Sequence, residues 1–320
     1  MTPPTFPTLT LPVAVDIREV GLRDGLQLED PLSWADKVAM IGALAATGAR
    51  RIEATAFVSP RAVPAMADAE RVAAELQRWP GIAWSALVAS PNGARRAVAA
   101  GITDLEYVVS AVDGHSIVNV GRTSDEALAQ VAEVAAAAHQ AGGRCEVVIA
   151  VAWDCPFDGR TPVDRTVRVA CRSVELGADR LCLGDTIGTT SPRRVTELLG
   201  AVRDVTPGVP LGVHFHDTRG TGQANALAAV LAGVTELDSS IGGLGGCPFA
   251  PGASGNIATE ELVYWLTESG VSTGLDLDAV LAAAAVTEKA VGHQLPSSLY
   301  RAGGRSRPLG PSRAGGRPRG

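Results

Sequence analysis

Residues 180–217 read RLCLGDTIGTTSPRRVTELLGAVRDVTPGVPLGVHFHD, and the fold turns on this stretch. A short apolar run, Arg180–Leu183, gives way to Pro192–Val205, where apolar residues recur at helical spacing. A second short run, Leu211–Phe215, follows. Strand, helix, strand in strict order is the unit of a parallel sheet. The same unit repeats outward in both directions. Upstream lie the runs Val13–Val20, Arg51–Val58, Ala83–Ala89, Asp104–Ser110 and Cys145–Ala152; downstream lies Val234–Ser239. Helical segments such as Ser33–Thr47 and Asp125–Gln140 fill the gaps. Eight such units without a break in composition point to an α/β fold of one closed (β/α)8 TIM barrel rather than an open sheet. The barrel domain is expected over residues 13–297, after a flexible segment 1–12. Leu277–Val291 adds a C-terminal helix, and 298–320 ends in a Gly/Pro/Arg tail too polar to bury surface and expected to be disordered.

Bulk properties exclude several classes. Hydrophobic residues make up 46% of the 320, enough for a large core, while aromatics are 4%. A net charge of −6 argues against a general nucleic-acid binder, which needs an excess of Lys and Arg to neutralise phosphates. The five cysteines, Cys145, Cys155, Cys171, Cys182 and Cys247, are odd in number and lack paired spacing, so reduced thiols in a cytosol are expected rather than a disulfide framework. Residues 1–12 carry no basic segment followed by an apolar one, and no apolar run reaches membrane length. The chain reads as soluble and cytoplasmic.

In a (β/α)8 barrel the chemistry gathers at the C-terminal ends of the strands, and polar residues stand there. Strand one runs into Glu19 and then Arg23-Asp24-Gly25; strand two carries Glu53; strand four ends in Ser110, with Asp113 and His115 beyond. Strand six ends in Asp185, strand seven holds His214 and His216, and strand eight runs through Asp238 into the loop Gly242–Asn256. His214 and His216 are the most informative pair. Side chains two apart on a strand face the same way, so both imidazoles point into the barrel mouth and supply half of a metal site. Two hydrogen-bonded core histidines would give the same spacing, and carboxylates on neighbouring strand ends favour the metal. Asp24 is a candidate ligand, and Arg23 a fixed charge opposite a developing oxyanion. Glu53 reads as the buried ion-pair partner of Arg23. The glycine-dense loop reads as a lid, and Cys247 within it is a candidate proton donor or acceptor.

Taken together, VDIREVGLRDGLQLED, RRIEATAFVSP, LGDTIG, GVHFHDTRG and SSIGGLGGCPFAPGASGN resemble the 3-hydroxy-3-methylglutaryl-CoA lyases, a branch of the DRE-type TIM-barrel metallolyases. The resemblance runs in order over residues 13–297. It implies a divalent metal, Mg²⁺ or Mn²⁺, held by Asp24, His214, His216 and Asn256. It implies that Arg23 stabilises the enolate of departing acetyl-CoA, that Cys247 transfers a proton, and that Glu53 and Asp185 are acidic residues of the active site. The expected reaction is retro-Claisen cleavage of the acyl-CoA to acetoacetate and acetyl-CoA, with Asp24 or His214 as base. A homodimer is expected, and neither nucleic acid nor membrane is a partner. The chain departs from the family pattern at Asp30, His115, Trp153 and Arg219, all placed by the resemblance near the acyl group, so a related branched 3-hydroxyglutaryl-CoA is an alternative substrate. Two rivals remain. A Claisen condensing enzyme of the same superfamily calls for a different loop after strand eight, and a non-catalytic barrel calls for a lost metal ligand.

Overall fold

A computed structural model describes residues 10–246 and 255–303. Eight strands form the barrel: β1 Asp16–Glu19, β2 Arg51–Phe57, β3 Ala83–Val88, β4 Asp104–Ser110, β5 Cys145–Ala150, β6 Arg180–Asp185, β7 Leu211–Phe215 and β8 Glu236–Ser239. Each pairs in parallel with its sequence neighbours, and β1 pairs with both β2 and β8, which closes the sheet. The apolar runs need no alternation, because a strand between a packed barrel interior and a helix layer is buried on both faces. β2 and β7 show this over nearly their whole length.

The helices start where side chains can satisfy free backbone N–H groups. Ser33 caps Trp34–Ala45, Thr123 makes a reciprocal box with Glu126, and Asp276 caps Leu277–Val291. Their apolar faces pack on the strands in one continuous core. Three details differ from the sequence expectation. The helix expected over Asp125–Gln140 breaks at Gln130 into Ser124–Ala129 and Val131–Gln140. The first strand stops at Glu19, because the Val20 carbonyl opens a tight turn. Order also runs past 298: Ser298–Ala302 is helical, its start held by Ser297 and by Glu261, which accepts from the N–H of Leu299. Among the described residues, no helix is long and apolar enough to cross a membrane, and the four cysteines are free.

A small antiparallel ribbon, Asp154–Cys155 with Gly159–Arg160, sits beyond β5. Just before it Val151 adopts φ +50°, an unusual conformation for a β-branched residue. It is held from both sides: its N–H donates to Thr186 Oγ1, and its carbonyl accepts from Thr161 Oγ1.

Candidate active site

GLRDG, residues 21–25, forms a single turn of π-helix that is buried throughout. The Val20 carbonyl accepts from the N–H groups of Arg23, Asp24 and Gly25, which throws both charged side chains inward over the end of β1. Glu19 anchors the turn. Its Oε1 accepts from the N–H groups of Gly21 and Ile241, and its Oε2 accepts from Thr259 Oγ1 at 2.5 Å. Burial pushes this carboxyl up to about 7 against those donors. Gly21 is required here, since a Cβ would stand 2.7 Å from Glu19 Oε1.

Asp24 meets the two histidines of β7. Its Oδ2 lies 3.8 Å from His214 Nε2 and 3.7 Å from His216 Nε2, and the three groups offer ligand atoms all within 4.8 Å of one another. Burial alone would raise the Asp24 carboxyl; Arg23 and the two imidazoles instead hold it well below its ordinary range. Asn256 arrives on the strand-like segment that returns from the glycine loop and pairs beside His216. Its Nδ2 donates to Asp24 Oδ2 at 2.7 Å and to the Leu244 carbonyl. Asn256 Oδ1 and His216 Nδ1 are buried without a hydrogen-bond partner among the described residues. Gly245, at φ +123°, makes room for this amide, because a Cβ there would stand 2.6 Å from Asn256 Nδ2.

Arg23 is clamped. Its Nη1 lies 2.6 Å from Asp24 Oδ1, and its Nε lies 2.6 Å from Glu53 Oε1. Glu53 is fully buried at a bulge in β2 and lies against Glu106 of β4. Burial first, and then Glu106, push the Glu53 carboxyl well above its ordinary range despite Arg23. A cavity of about 500 Å³ opens over this floor. Arg23, Asp24, His214, His216 and Glu106 form its polar end, and side chains such as Val58, Met66, Val108 and Val148 form its apolar wall.

The structure thus gathers Arg23, Asp24, Glu53, His214, His216 and Asn256. It does not bring Asp185 to the cavity. Both Asp185 oxygens accept backbone N–H groups, from Thr189 and Thr190, so the residue shapes the turn after β6. Cys247 lies outside the described residues. Of the four departures from the family pattern, only His115 lines the cavity. Its Nδ1 bonds Ser110 Oγ at 2.7 Å, and burial lowers its pKa to about 4, keeping it neutral. Trp153 instead packs on Phe215 and donates to the Arg194 carbonyl, Arg219 donates to the carbonyls of Ile187 and Gly188, and Asp30 is exposed. Sequence reasoning assigned no role to Arg18, Glu106, Glu146 or Asp238. Their signal was present as charges inside the strand runs VDIREV, DLEYVV, CEVVIA and ELDSS.

The charges show that the site suits a cation. Arg18 and Arg23 face five buried carboxylates: Asp24, Glu53, Glu106, Glu146 and Asp238. Five carboxyls outnumber two guanidiniums, and buried negative charge must be offset. Two imidazoles, a carboxylate and a carboxamide are a donor set for a divalent ion.

Comparison with known proteins agrees with this chemistry. The HMGL-like family model matches residues 14–287. Hydroxymethylglutaryl-CoA lyase of Pseudomonas mevalonii is 44% identical over 268 residues, 83% of this chain and 89% of that protein. (R)-citramalyl-CoA lyase of Chloroflexus aurantiacus is 40% identical over 301 residues, 91% of this chain and 95% of that protein. The solved structure of an HMG-CoA lyase from Acinetobacter baumannii, in complex with coenzyme A and 3-methylmalate, superposes with a TM-score of 0.86 at 36% identity. It covers 92% of this chain and 96% of the solved one.

Proposed function

The chain belongs to the HMGL-like family, and from that premise we propose that it is a divalent-metal-dependent carbon–carbon lyase that cleaves 3-hydroxy-3-methylglutaryl-CoA to acetoacetate and acetyl-CoA. The observation that carries this reading is the meeting of Arg23 with Asp24, His214 and His216 at the polar end of a cavity whose walls are apolar.

Asp24, His214, His216 and Asn256 would hold the metal. When bound, Mg²⁺ or Mn²⁺ supplies Lewis acidity and lowers the pKa of a coordinated hydroxyl. The chain's own groups do the rest. Asp24 takes the proton from the substrate's tertiary hydroxyl, and the carbon–carbon bond breaks in the retro-Claisen sense. Electrons move onto the thioester oxygen, where the guanidinium of Arg23, fixed in advance by Glu53 and Asp24, compensates the charge without reorganising. Cys247, by its resemblance to the family's loop cysteine, protonates the acetyl-CoA enolate. A homodimer in the cytoplasm, with Mg²⁺ or Mn²⁺ as the resident ion, completes the proposal.

A second acyl group stays in view because the relative from Chloroflexus, named for (R)-citramalyl-CoA, is 40% identical, between two relatives named for hydroxymethylglutaryl-CoA at 38% and 44%. The test is product release by purified protein from each thioester, with Mg²⁺ or Mn²⁺ and a reductant. Metal-dependent acetoacetate from the first establishes the reading. Pyruvate from the second alone moves the assignment to citramalyl-CoA, and turnover of neither defeats both.

A further inference from the structure

We infer that Arg18 is a positioning residue for the metal centre, acting through Asp238 on His214. The inference rests on the metal-binding reading above and adds to it a residue on the barrel axis, outside the ligand set.

Arg18, Asp238 and His214 stand side by side across three adjacent strands: Arg18 is the register partner of Asp238, and Asp238 of His214. The planar guanidinium grips both carboxylate oxygens, Nε on Oδ1 at 2.8 Å and Nη2 on Oδ2 at 2.7 Å. A carboxylate held by such a fork cannot rotate. The same Oδ2 lies 3.1 Å from His214 Nδ1. An imidazole that donates its Nδ1–H there keeps the Nε2 lone pair turned toward Asp24, as a ligand must. Lysine, a single point charge on a flexible stem, could not fix both oxygens.

The far side of Arg18 is anchored as firmly. Nη1 lies 2.8 Å from Glu106 Oε1, and Nη2 lies 2.8 Å from Glu146 Oε1, on β4 and β5 across the barrel. Ser85 Oγ donates to the same Glu106 oxygen at 2.5 Å. Glu106 in turn lies against Glu53, the partner of Arg23. The result is a closed circuit. Arg23 reaches His214 above through Asp24, and below through Glu53, Glu106, Arg18 and Asp238. Charge balance alone would require only a cation on the axis; the circuit also sets the direction of an imidazole.

The test measures Mn²⁺ binding to the full-length protein by the electron paramagnetic resonance of free Mn²⁺, so it needs no substrate. Wild type, Arg18→Lys, Asp238→Asn and the double variant are compared, with circular dichroism and a thermal melt to confirm folding. Each single variant is expected to weaken Mn²⁺ about 10- to 100-fold. The double variant is expected to bind no more weakly than Asp238→Asn alone, since Arg18 acts through that residue. Affinity within twofold of wild type in Arg18→Lys, or losses that multiply in the double variant, overturns the inference. If Arg18→Lys does not fold, Glu146→Gln, which loosens the fork and keeps the guanidinium, takes its place. A loss of affinity that vanishes on the Asp238→Asn background supports the inference, and unchanged affinity overturns it. Wild-type protein that binds no Mn²⁺ overturns the metal reading itself, and this inference with it.

Discussion

At the floor of the barrel, Arg51 and Arg180 face Asp16 and Glu236, with Glu146 shared from above. At the mouth, Arg23 and the imidazoles face Asp24, Glu53 and Glu106, and polar atoms of His216 and Asn256 are left over. Both ends are charged clusters built on the barrel strands and the turns that follow them. They differ in balance. The floor closes its own account with side chains that are partly solvated, whereas the mouth is buried, anionic and incomplete. A charged cluster that satisfies itself holds the barrel shut; one that does not has been shaped for something the chain does not contain.

That contrast can be broken most sharply at Arg23. Arg23→Gln keeps the size and some hydrogen bonding but removes the charge facing the reacting thioester. Turnover is expected to fall about 10²- to 10³-fold, and the melting temperature to fall as well, because Asp24 and Glu53 lose their buried partner. Steady-state product release beside a thermal melt checks this, and a large loss of stability with full activity in the folded fraction would place Arg23 with the floor. The next effect belongs to Glu19, which joins the mouth turn to the end of β8. Its folded pKa is raised from 4.5 to about 7, so the folded state holds more protons than the unfolded chain between those values. Its stability contribution is therefore full below pH 4.5, declines as pH rises toward 7, and is flat above. The span corresponds to about 3 kcal/mol. Urea denaturation at several pH values should show this slope in wild type and a flatter one in Glu19→Gln.

How much of this contrast was legible in the sequence depends on which forces set it. β–α periodicity exposed all eight strands, because burial on both faces writes itself as continuous apolar runs. The His214–His216 pair was legible for the same geometric reason, since strand alternation fixes which way two side chains point. Asp185 could not be placed from sequence, because a carboxylate at a strand end can as well cap the following turn, and only the backbone N–H groups of Thr189 and Thr190 show that it does. Trp153 and Arg219 misled because sequence distance from the site says nothing of the face a side chain takes. Arg18, Glu106 and Glu146 went unassigned because a charge within a strand reads the same whether it faces solvent or a buried partner. Their meaning lies in register across the barrel, which a linear reading does not contain.

Two smaller effects sharpen the comparison from either side. Arg51→Met at the floor should cost about 1–3 kcal/mol of stability, less than a fully buried pair because Arg51 is partly exposed. Its kcat should stay within twofold of wild type, as chemical denaturation and steady-state kinetics would show; a collapse of kcat would mean that the two ends are not separable. Gly245→Ala at the mouth adds a methyl group against Asn256 Nδ2 in a backbone conformation that favours glycine. Mn²⁺ affinity, measured by calorimetry, should weaken about tenfold with little change in melting temperature.

The circuit of charges through Arg18 also constrains how this core can change over generations. An apolar core drifts by single replacements, each costing little if volume is kept. Here the loss of one member strands a buried partner, at a cost of about 3–5 kcal/mol, which is comparable to the whole margin by which a domain stays folded. The members Arg18, Glu106, Glu146 and Asp238 can therefore be exchanged only in company. Descendants of this chain should either keep the set intact or have traded several of its charges together for apolar side chains, with few sequences caught between.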